Sequence, residues 1–135
     1  MKASLRKAGT LIVGVMLVAR FASDYALAQD TAASVDAKLA QLRGEIVALV
    51  GPATCANLVN CRIAALGVDA CGGAAEYIAY SWLSTEKDVL ETRIAEYNFT
   101  QEDALKASHA VGTCVVKPQP VATCVNRRCV VSGKQ

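Results

Sequence analysis

The stretch CANLVNCRIAALGVDACGGAAEYIAYSWLS, residues 55–84, decides how this chain folds. It contains three of the six cysteines and a Gly-Gly pair at residues 72–73. Because glycine adopts backbone angles that a side chain forbids, this pair predicts a loop over residues 68–73. Residues 52–67 are rich enough in alanine for a helix, but a helical turn followed by a strand that ends at Gly67 is the preferred interpretation.

The start of the chain has the pattern of a secretory signal peptide. Basic residues precede an uncharged run, residues 8–19, and an Ala-Leu-Ala sequence ends at residue 28. The uncharged run is shorter than the roughly 20 residues that a membrane-spanning helix needs. The sequence therefore predicts a signal peptide over residues 1–28 and a single disulfide-stabilised domain over residues 29–135. We expect that domain in the periplasm or outside the cell, with no membrane insertion after cleavage.

Removal of the signal peptide changes the charge balance. Residues 1–28 carry four of the 14 Lys and Arg residues and one of the 12 acidic residues, which leaves ten basic and 11 acidic side chains, a net charge of −1. No strong positive field remains to attract nucleic acid or anionic lipid, so neither is expected as a partner.

The remaining charge is uneven along the chain. Residues 84–103 have six acidic and two basic side chains, whereas five basic and no acidic residues follow from Ala104 onward. A solvated acidic helix face beside a basic hairpin is the simpler interpretation, and a dipolar partner-binding surface is the alternative.

The cysteines indicate how the domain is held together. All six follow the signal peptide: Cys55, Cys61, Cys71, Cys114, Cys124 and Cys129. An even number of cysteines in a small exported domain predicts three disulfides. Structural zinc sites favour two closely spaced pairs, and only Cys124 and Cys129 have such a spacing. No Cys-x-x-Cys is present. We therefore expect no metal site, no thiol-oxidoreductase motif and no haem attachment.

Local geometry suggests which cysteines pair, although sequence alone leaves fifteen pairings possible. Three cysteines precede residue 72 and three follow residue 113, so an odd number of bridges must join the two halves. A two-residue turn at residues 126–127 would place Cys124 opposite Cys129, which is the preferred short bridge. A loop at residues 118–120 would instead oppose Cys114 to Cys124, which ranks second.

Apolar spacing predicts the helices. A first helix begins at Ser34 and ends at Gly51-Pro52. Its apolar stripe consists of Val35, Leu39, Leu42, Ile46 and Leu49. The stripe packs on its own domain in the simpler interpretation and forms a short coiled coil with another chain in the alternative.

Two further helices are predicted in the C-terminal half. Thr85 provides a start signal for a helix over residues 88–97, and Thr100 provides one for a third helix that ends near Ala110.

Valine-rich segments at residues 114–116, 121–125 and 129–131 predict two or three short antiparallel strands. The expected fold class is α+β, a small disulfide-stabilised domain with two to three helices plus a C-terminal antiparallel hairpin sheet.

The pattern of cysteines, glycines and tyrosines resembles that of a known group of proteins. The run Cys61…Cys71-Gly72-Gly73…Tyr77…Tyr80-Ser81, followed by three further cysteines, is similar to that of small exported Cys-rich bacterial proteins of uncharacterised function. The resemblance implies a shared disulfide scaffold and no particular activity.

No motif in the sequence indicates catalysis or a cofactor. A phosphate-binding loop would need a third glycine and a following Lys-Ser/Thr. His109 is the one histidine, and its place near a predicted helix C-terminus favours a structural or surface role. We therefore expect no catalytic residues, no cofactor and no enzymatic activity.

Two groups of residues are candidate binding elements. Tyr77, Tyr80 and Trp82, together with Tyr97 and Phe99, could form a ligand-stacking platform, although packing in the core is the simpler interpretation. Arg127 and Arg128 lie at the tip of the predicted hairpin, where a rigid basic loop could contact a trypsin-type protease; a solvated turn is the alternative.

The predicted function is an exported non-enzymatic binding or interaction module for another protein, with inhibition of a protease or other envelope enzyme as a narrower form. A small periplasmic hydrolase with an unrecognised site and a structural envelope protein are the alternatives.

Overall fold

The computed structural model describes residues 32–115 and 118–133. These residues form two α-helices, α1 (32–50) and α2 (Lys87–Ala107), and four strands, β1 (Cys61–Val68), β2 (Ala74–Ser81), β3 (Val121–Val125) and β4 (Arg128–Ser132). The expected α+β class is confirmed, with two helices among the described residues rather than three. The predicted signal peptide lies outside the described residues. The first turn of α1, up to Asp36, belongs to a separate compact unit, so the contacts below are those of the unit from Ala37 onward.

Helix α1 packs on its own domain through the predicted apolar stripe. Leu42 and Ile46 are buried in the main core, and Leu39 and Leu49 pack against that core. The helix ends where Gly51 takes a φ of 55° and donates its N–H to the Val47 carbonyl. Glycine suits such an end because the left-handed region costs it nothing.

Strands β1 and β2 form an antiparallel hairpin whose register runs from Cys61 opposite Ser81 to Val68 opposite Ala74. Since side chains alternate between the faces of a sheet, Ala64, Leu66, Ile78 and Tyr80 share the face that packs against the helices. Strand β1 confirms the predicted strand before Gly67. Strand β2 was not predicted.

The loop between β1 and β2 is organised by Asp69. Its Oδ1 accepts hydrogen bonds from the N–H groups of Cys71 and Gly73, both at 2.9 Å. Gly72 takes a φ of 82°, so the Gly-Gly pair serves the backbone of this turn, as the sequence predicted.

Helix α2 is one continuous helix, and the prediction of two separate helices over this segment is wrong. Thr100 does not cap a new helix; its hydroxyl donates to the Glu96 carbonyl within α2 at 2.8 Å. Thr85 does not cap α2 either, because its buried Oγ1 has no hydrogen-bond partner. The buried residues of α2 are Leu90, Ile94 and Tyr97, which join the main core.

Side chains of α2 also hold the end of β1. Asn98 Oδ1 accepts a hydrogen bond from the Gly67 N–H at 2.6 Å, and Gln101 Oε1 accepts one from the Val68 N–H at 2.8 Å. These two bonds satisfy backbone donors that β2 does not pair, so they fix the first hairpin against the helix.

Strands β3 and β4 form the predicted C-terminal hairpin. Asn126 and Arg127 have φ values of 49° and 60°, which is the geometry of a two-residue type I′ turn. A short segment, residues 53–55, adds to the far side of β4: Cys129 donates its N–H to the Ala53 carbonyl at 2.8 Å, and Cys55 donates to the Arg127 carbonyl at 3.1 Å. Residues 114 and 115 lie in no strand, so the strand expected there is not present in the described part.

Three disulfides join the two ends of the domain: Cys55–Cys124, Cys61–Cys129 and Cys71–Cys114. All three cross between the halves of the chain, which agrees with the odd number expected. Three disulfides indicate an oxidising compartment.

The preferred pairing of Cys124 with Cys129 is wrong, and so is the second choice of Cys114 with Cys124. Cys124 does lie opposite Cys129 across the hairpin. However, the face that carries both packs against Cys55 and Cys61, which are buried in the same cluster. Each hairpin cysteine therefore bonds to a cysteine of the N-terminal half, and the Cys61–Cys129 bridge joins β1 to β4. Strand β2 places Tyr80 in the main core and Ala79 against the cysteine cluster, so the first hairpin lies between the helices and the second hairpin.

No helix in the described ranges is long and apolar enough to cross a membrane.

Candidate binding surface

Three of the aromatic residues proposed as a platform, Tyr77, Tyr80 and Trp82, lie in different environments. Tyr80 is buried in the main core with Tyr97. Tyr77 lies on the opposite face of the β1–β2 sheet from Tyr80 and is partly buried. Trp82, just after β2, is 51% exposed. The structure therefore does not bring them together as one stacking surface.

Trp82 instead belongs to an exposed apolar patch. Its backbone N–H donates to the Asn60 carbonyl and its indole Nε1 donates to the Val59 carbonyl, both at 3.1 Å. These bonds hold the indole beside a single 3₁₀ turn, Leu58–Asn60. Leu58, Val59 and Leu83 are each more than half exposed. We call Leu58, Val59, Trp82 and Leu83 the Trp82 patch.

The turn under this patch is rigid. Asn57 caps it, since its side chain accepts a hydrogen bond from the Val59 N–H, and Asn60 Oδ1 accepts bonds from the N–H groups of Ala56 and Asn57. A capped turn costs little entropy to immobilise on binding, so the exposed side chains of Leu58 and Val59 are preorganised.

The hairpin tip is held in place by its backbone. The Arg127 carbonyl is paired with the Cys55 N–H, and Arg128 Nε donates to the Pro52 carbonyl at 3.3 Å. The Arg127 side chain makes no hydrogen bond or ion pair with the described residues. The tip is therefore a fixed turn that presents one guanidinium group to solvent.

A third arginine, absent from the sequence-based candidates, lies beside the Trp82 patch. Arg62 Nη1 donates to the carbonyls of Val59 and Cys61, each at 2.8 Å. Because a guanidinium has five N–H donors, Arg62 keeps donors for a further acceptor.

These arginines lie in a part of the chain that contains no acidic residue. Residues 51–62 and 118–133 carry Arg62, Arg127 and Arg128 and no Asp or Glu. We call these two ranges the acid-free module. None of its arginines forms an ion pair with a carboxylate of the described residues.

The helical side of the domain is different, because its basic residues are neutralised locally. Ion pairs join Lys38 to Glu96, Arg43 to Glu76, Lys87 to Glu91, Arg93 to Glu45 and Glu96, and Lys106 to Glu102. The hydrogen bond from Arg43 to Glu76 raises the pKa of Arg43 above its usual range. Within residues 32–115 and 118–133, positive charge without a carboxylate partner is thus concentrated in the acid-free module.

A shallow groove runs along the start of β3. It has a volume of about 390 Å³, and its lining includes Cys61, Arg62 and Ile63 on one side and residues 119–122 on the other. Two other open cavities lie elsewhere, one of about 310 Å³ beside Tyr77 and the Cys71–Cys114 bridge and one of about 370 Å³ between α1 and β4. The first groove alone among these three contains an arginine of the acid-free module.

His109 and the cysteine cluster complete the set of candidate chemical groups. His109 is exposed just after α2, with a φ of 51°, and no hydrogen bond joins its side chain to a described residue. The sulfur atoms of Cys55, Cys61 and Cys129 lie within 4.8 Å of one another. All three are oxidised to disulfides and so offer no thiolate to a metal ion.

Comparison with protein families, curated proteins and solved structures finds no match to this chain. A functional assignment therefore rests on the surface itself.

Proposed function

We propose that this protein is an exported, non-enzymatic interaction module that binds an acidic partner protein through the acid-free module and the Trp82 patch. The observation that carries the proposal is the segregation of charge: among the described residues, Arg62, Arg127 and Arg128 have no carboxylate partner, whereas the helical side pairs its cations. We place the protein in the periplasm or outside the cell, in keeping with its disulfides.

The composition of this surface suits a protein partner. Tryptophan and arginine are the residues most often found to dominate binding energy at protein interfaces, and an apolar centre with a charged rim is the usual arrangement. Nucleic-acid surfaces bind phosphates through larger groups of lysine and arginine, and their affinity comes from the number of phosphate contacts. Three arginines beside exposed Leu58 and Val59 fit a protein better.

The experiment is affinity capture from the native periplasm or culture medium, followed by mass spectrometry and measurement of the dissociation constant with the purified partner. Trp82→Ala and Arg127→Ala should each weaken binding by about tenfold or more, because anchor residues commonly carry about 2 kcal/mol or more and about 1.4 kcal/mol corresponds to tenfold. The matched controls are Phe99→Ala and Lys106→Ala on α2, since Phe99 is also exposed and Lys106 is a cation with a local partner. Equal binding by all four variants would contradict the proposal.

The narrower form, a protease inhibitor, must work without insertion of the Arg127–Arg128 bond into an active site. A protease takes its substrate in an extended conformation, but Arg127 has a φ of 60° and its carbonyl is already bonded to Cys55. Inhibition would instead come from covering the enzyme's cleft. A trypsin-type assay tests this: loss of inhibition in Arg127→Ala but not in Lys106→Ala would support it.

The small hydrolase and the structural envelope protein remain the alternatives, and no observation in the described residues favours either. Turnover of ester, peptide or glycoside substrates that is lost in His109→Ala would replace the binding proposal with the hydrolase.

A further inference from the structure

No strand of the described residues pairs with the outer edge of β3 in the second hairpin. Strand β4 has β3 on one side and residues 53–55 on the other. With a two-residue turn, Val125 and Arg128 form a hydrogen-bonded pair, and such pairs alternate along the ladder. Ala122 and Cys124 therefore direct their N–H and C=O groups away from β4.

A bond on the opposite strand confirms this alternation. Cys129, which lies opposite Cys124, donates its N–H away from β3 to the Ala53 carbonyl. In the described residues, the backbone groups of Ala122 and Cys124 have no backbone hydrogen-bond partner outside the hairpin. Two donors and two acceptors in a row thus have no backbone partner among the described residues.

The surroundings of this edge are apolar and positive. Val121 and Val125, at the two ends of β3, are both exposed. The groove that contains Arg62 lies at the start of the strand, and Arg127 lies at its end. No acidic residue occurs in the acid-free module to compete for these cations.

We propose that the β3 edge binds an extended, acidic segment of a partner polypeptide as an added strand. The inference rests on the proposed function and specifies how that partner is held: main-chain bonds to Ala122 and Cys124 supply affinity, and Arg62 and Arg127 select carboxylates. A second copy of this chain is a poorer occupant, because two acid-free modules would bring six arginines together without a carboxylate. Charge complementarity therefore favours an acidic strand over self-association.

The test uses a fluorescently labelled short peptide of alternating valine and glutamate, titrated into the oxidised protein. We expect saturable binding and at least tenfold slower hydrogen exchange at the Ala122 and Cys124 amides in the complex. The Thr123 amide, which already bonds to β4, should change little. The same peptide with N-methyl groups on alternate residues, or with lysine in place of glutamate, should not bind.

Two variants of one residue provide a matched pair. Ala122→Pro removes an outward donor that the hairpin does not use, whereas Ala122→Val retains it. We expect peptide binding to be lost in the proline variant and kept in the valine variant. The exchange measurement on the native protein tests the inference even where the proline variant does not fold.

The outcomes separate this inference from the proposed function. Absence of saturable peptide binding, or binding without protection of the Ala122 and Cys124 amides, would overturn the added strand. If a captured partner still depends on Trp82 and Arg127 while those amides exchange freely, the function stands and the strand inference is wrong. Protection that depends on protein concentration in the absence of peptide would show that a second copy occupies the edge, which also overturns it.

Discussion

Gly67 is the position where a single methyl group should disturb the fold most clearly. Its φ of 75° lies in the left-handed region, and a Cβ added there would lie 2.5 Å from Gln101 Oε1. The left-handed conformation costs a residue with a side chain about 1–2 kcal/mol. Displacement of Gln101 would also remove its hydrogen bond to the Val68 N–H, which costs about 1 kcal/mol. Gly67→Ala should therefore lose about 2–3 kcal/mol of unfolding free energy, or roughly 10–20 °C in Tm for a domain of this size.

The matched control is Gly44→Ala. Gly44 lies within α1, and apart from its chain neighbours and the backbone of the helix itself, no described heavy atom lies within 4 Å of the position of its added Cβ. Because alanine is the better helix former, this change should raise the unfolding free energy by about 0.5–1 kcal/mol. The same chemical substitution is thus expected to have opposite signs at the two sites.

Urea denaturation followed by circular dichroism, with the disulfides intact, measures both effects. Repeating Gly67→Ala in a Gln101→Ala background separates the backbone cost from the contact. The loss caused by Gly67→Ala should be smaller in that background by about 1 kcal/mol, since the oxygen that the Cβ meets is gone. A loss of less than about 0.5 kcal/mol at Gly67, or an equal loss in both backgrounds, would refute the reasoning.

Three further predictions concern other parts of the domain. Thr85→Val should raise the unfolding free energy by about 1 kcal/mol in urea denaturation, because it removes a buried hydroxyl that has no partner; a clear loss would show that the hydroxyl is bonded in solution. Replacing both Cys71 and Cys114 with serine should cost about 4 kcal/mol by the loop-entropy relation for their separation of 43 residues, measured by the same method, and an unchanged midpoint would contradict it. Lys38 lowers the pKa of Glu96, and a carboxyl whose pKa is lowered by folding contributes stability that is lost as the pH falls below about 4.3. Melting curves between pH 2 and about 6 should therefore show a weaker pH dependence in Lys38→Ala than in the parent, and identical curves would exclude the contribution.

The elements predictable from sequence are those whose signals are local. The stripe of α1 recurs at helical spacing, and Asn126 suits the positive φ of a two-residue turn between valine-rich segments, so both elements could be predicted from nearby residues. Strand β2 could not. Its sequence AAEYIAYS lacks regular alternation and contains weak strand formers, and it forms because β1 pairs with it and the core buries Ile78 and Tyr80.

Asn98 explains why the sequence predicted two helices where the structure has the single helix α2. The run Asn-Phe-Thr at residues 98–100 suggests a break because Asn and Thr are poor helix formers. In the fold, Asn98 accepts a hydrogen bond from the Gly67 N–H. Its contribution is therefore a tertiary hydrogen bond, which no local sequence pattern indicates.

The disulfide pairing and the candidate binding surface could not be predicted from local sequence, because both depend on the packing of distant segments. Cys124 and Cys129 are close along the chain, which favoured their pairing, but the packing of distant segments brings Cys55 to Cys124 and Cys61 to Cys129. For the candidate surface, Arg127, Arg128 and Trp82 were already candidates from the sequence, whereas Arg62 and the Leu58–Val59 turn became candidates only from the structure. The absence of Asp and Glu from residues 51–62 and 118–133 was the feature of the sequence that could have indicated Arg62.

The three bridges also determine what a single cut in the backbone can do. Cys55–Cys124 and Cys61–Cys129 close the chain into a covalent ring that includes residues 61–124. Val111, within that ring, is 95% exposed and lies outside any helix or strand, so a protease can reach the backbone there. Cleavage at this point would give a two-chain protein of unchanged size without reductant, with both hairpins still tethered. Only electrophoresis after reduction would reveal the two fragments.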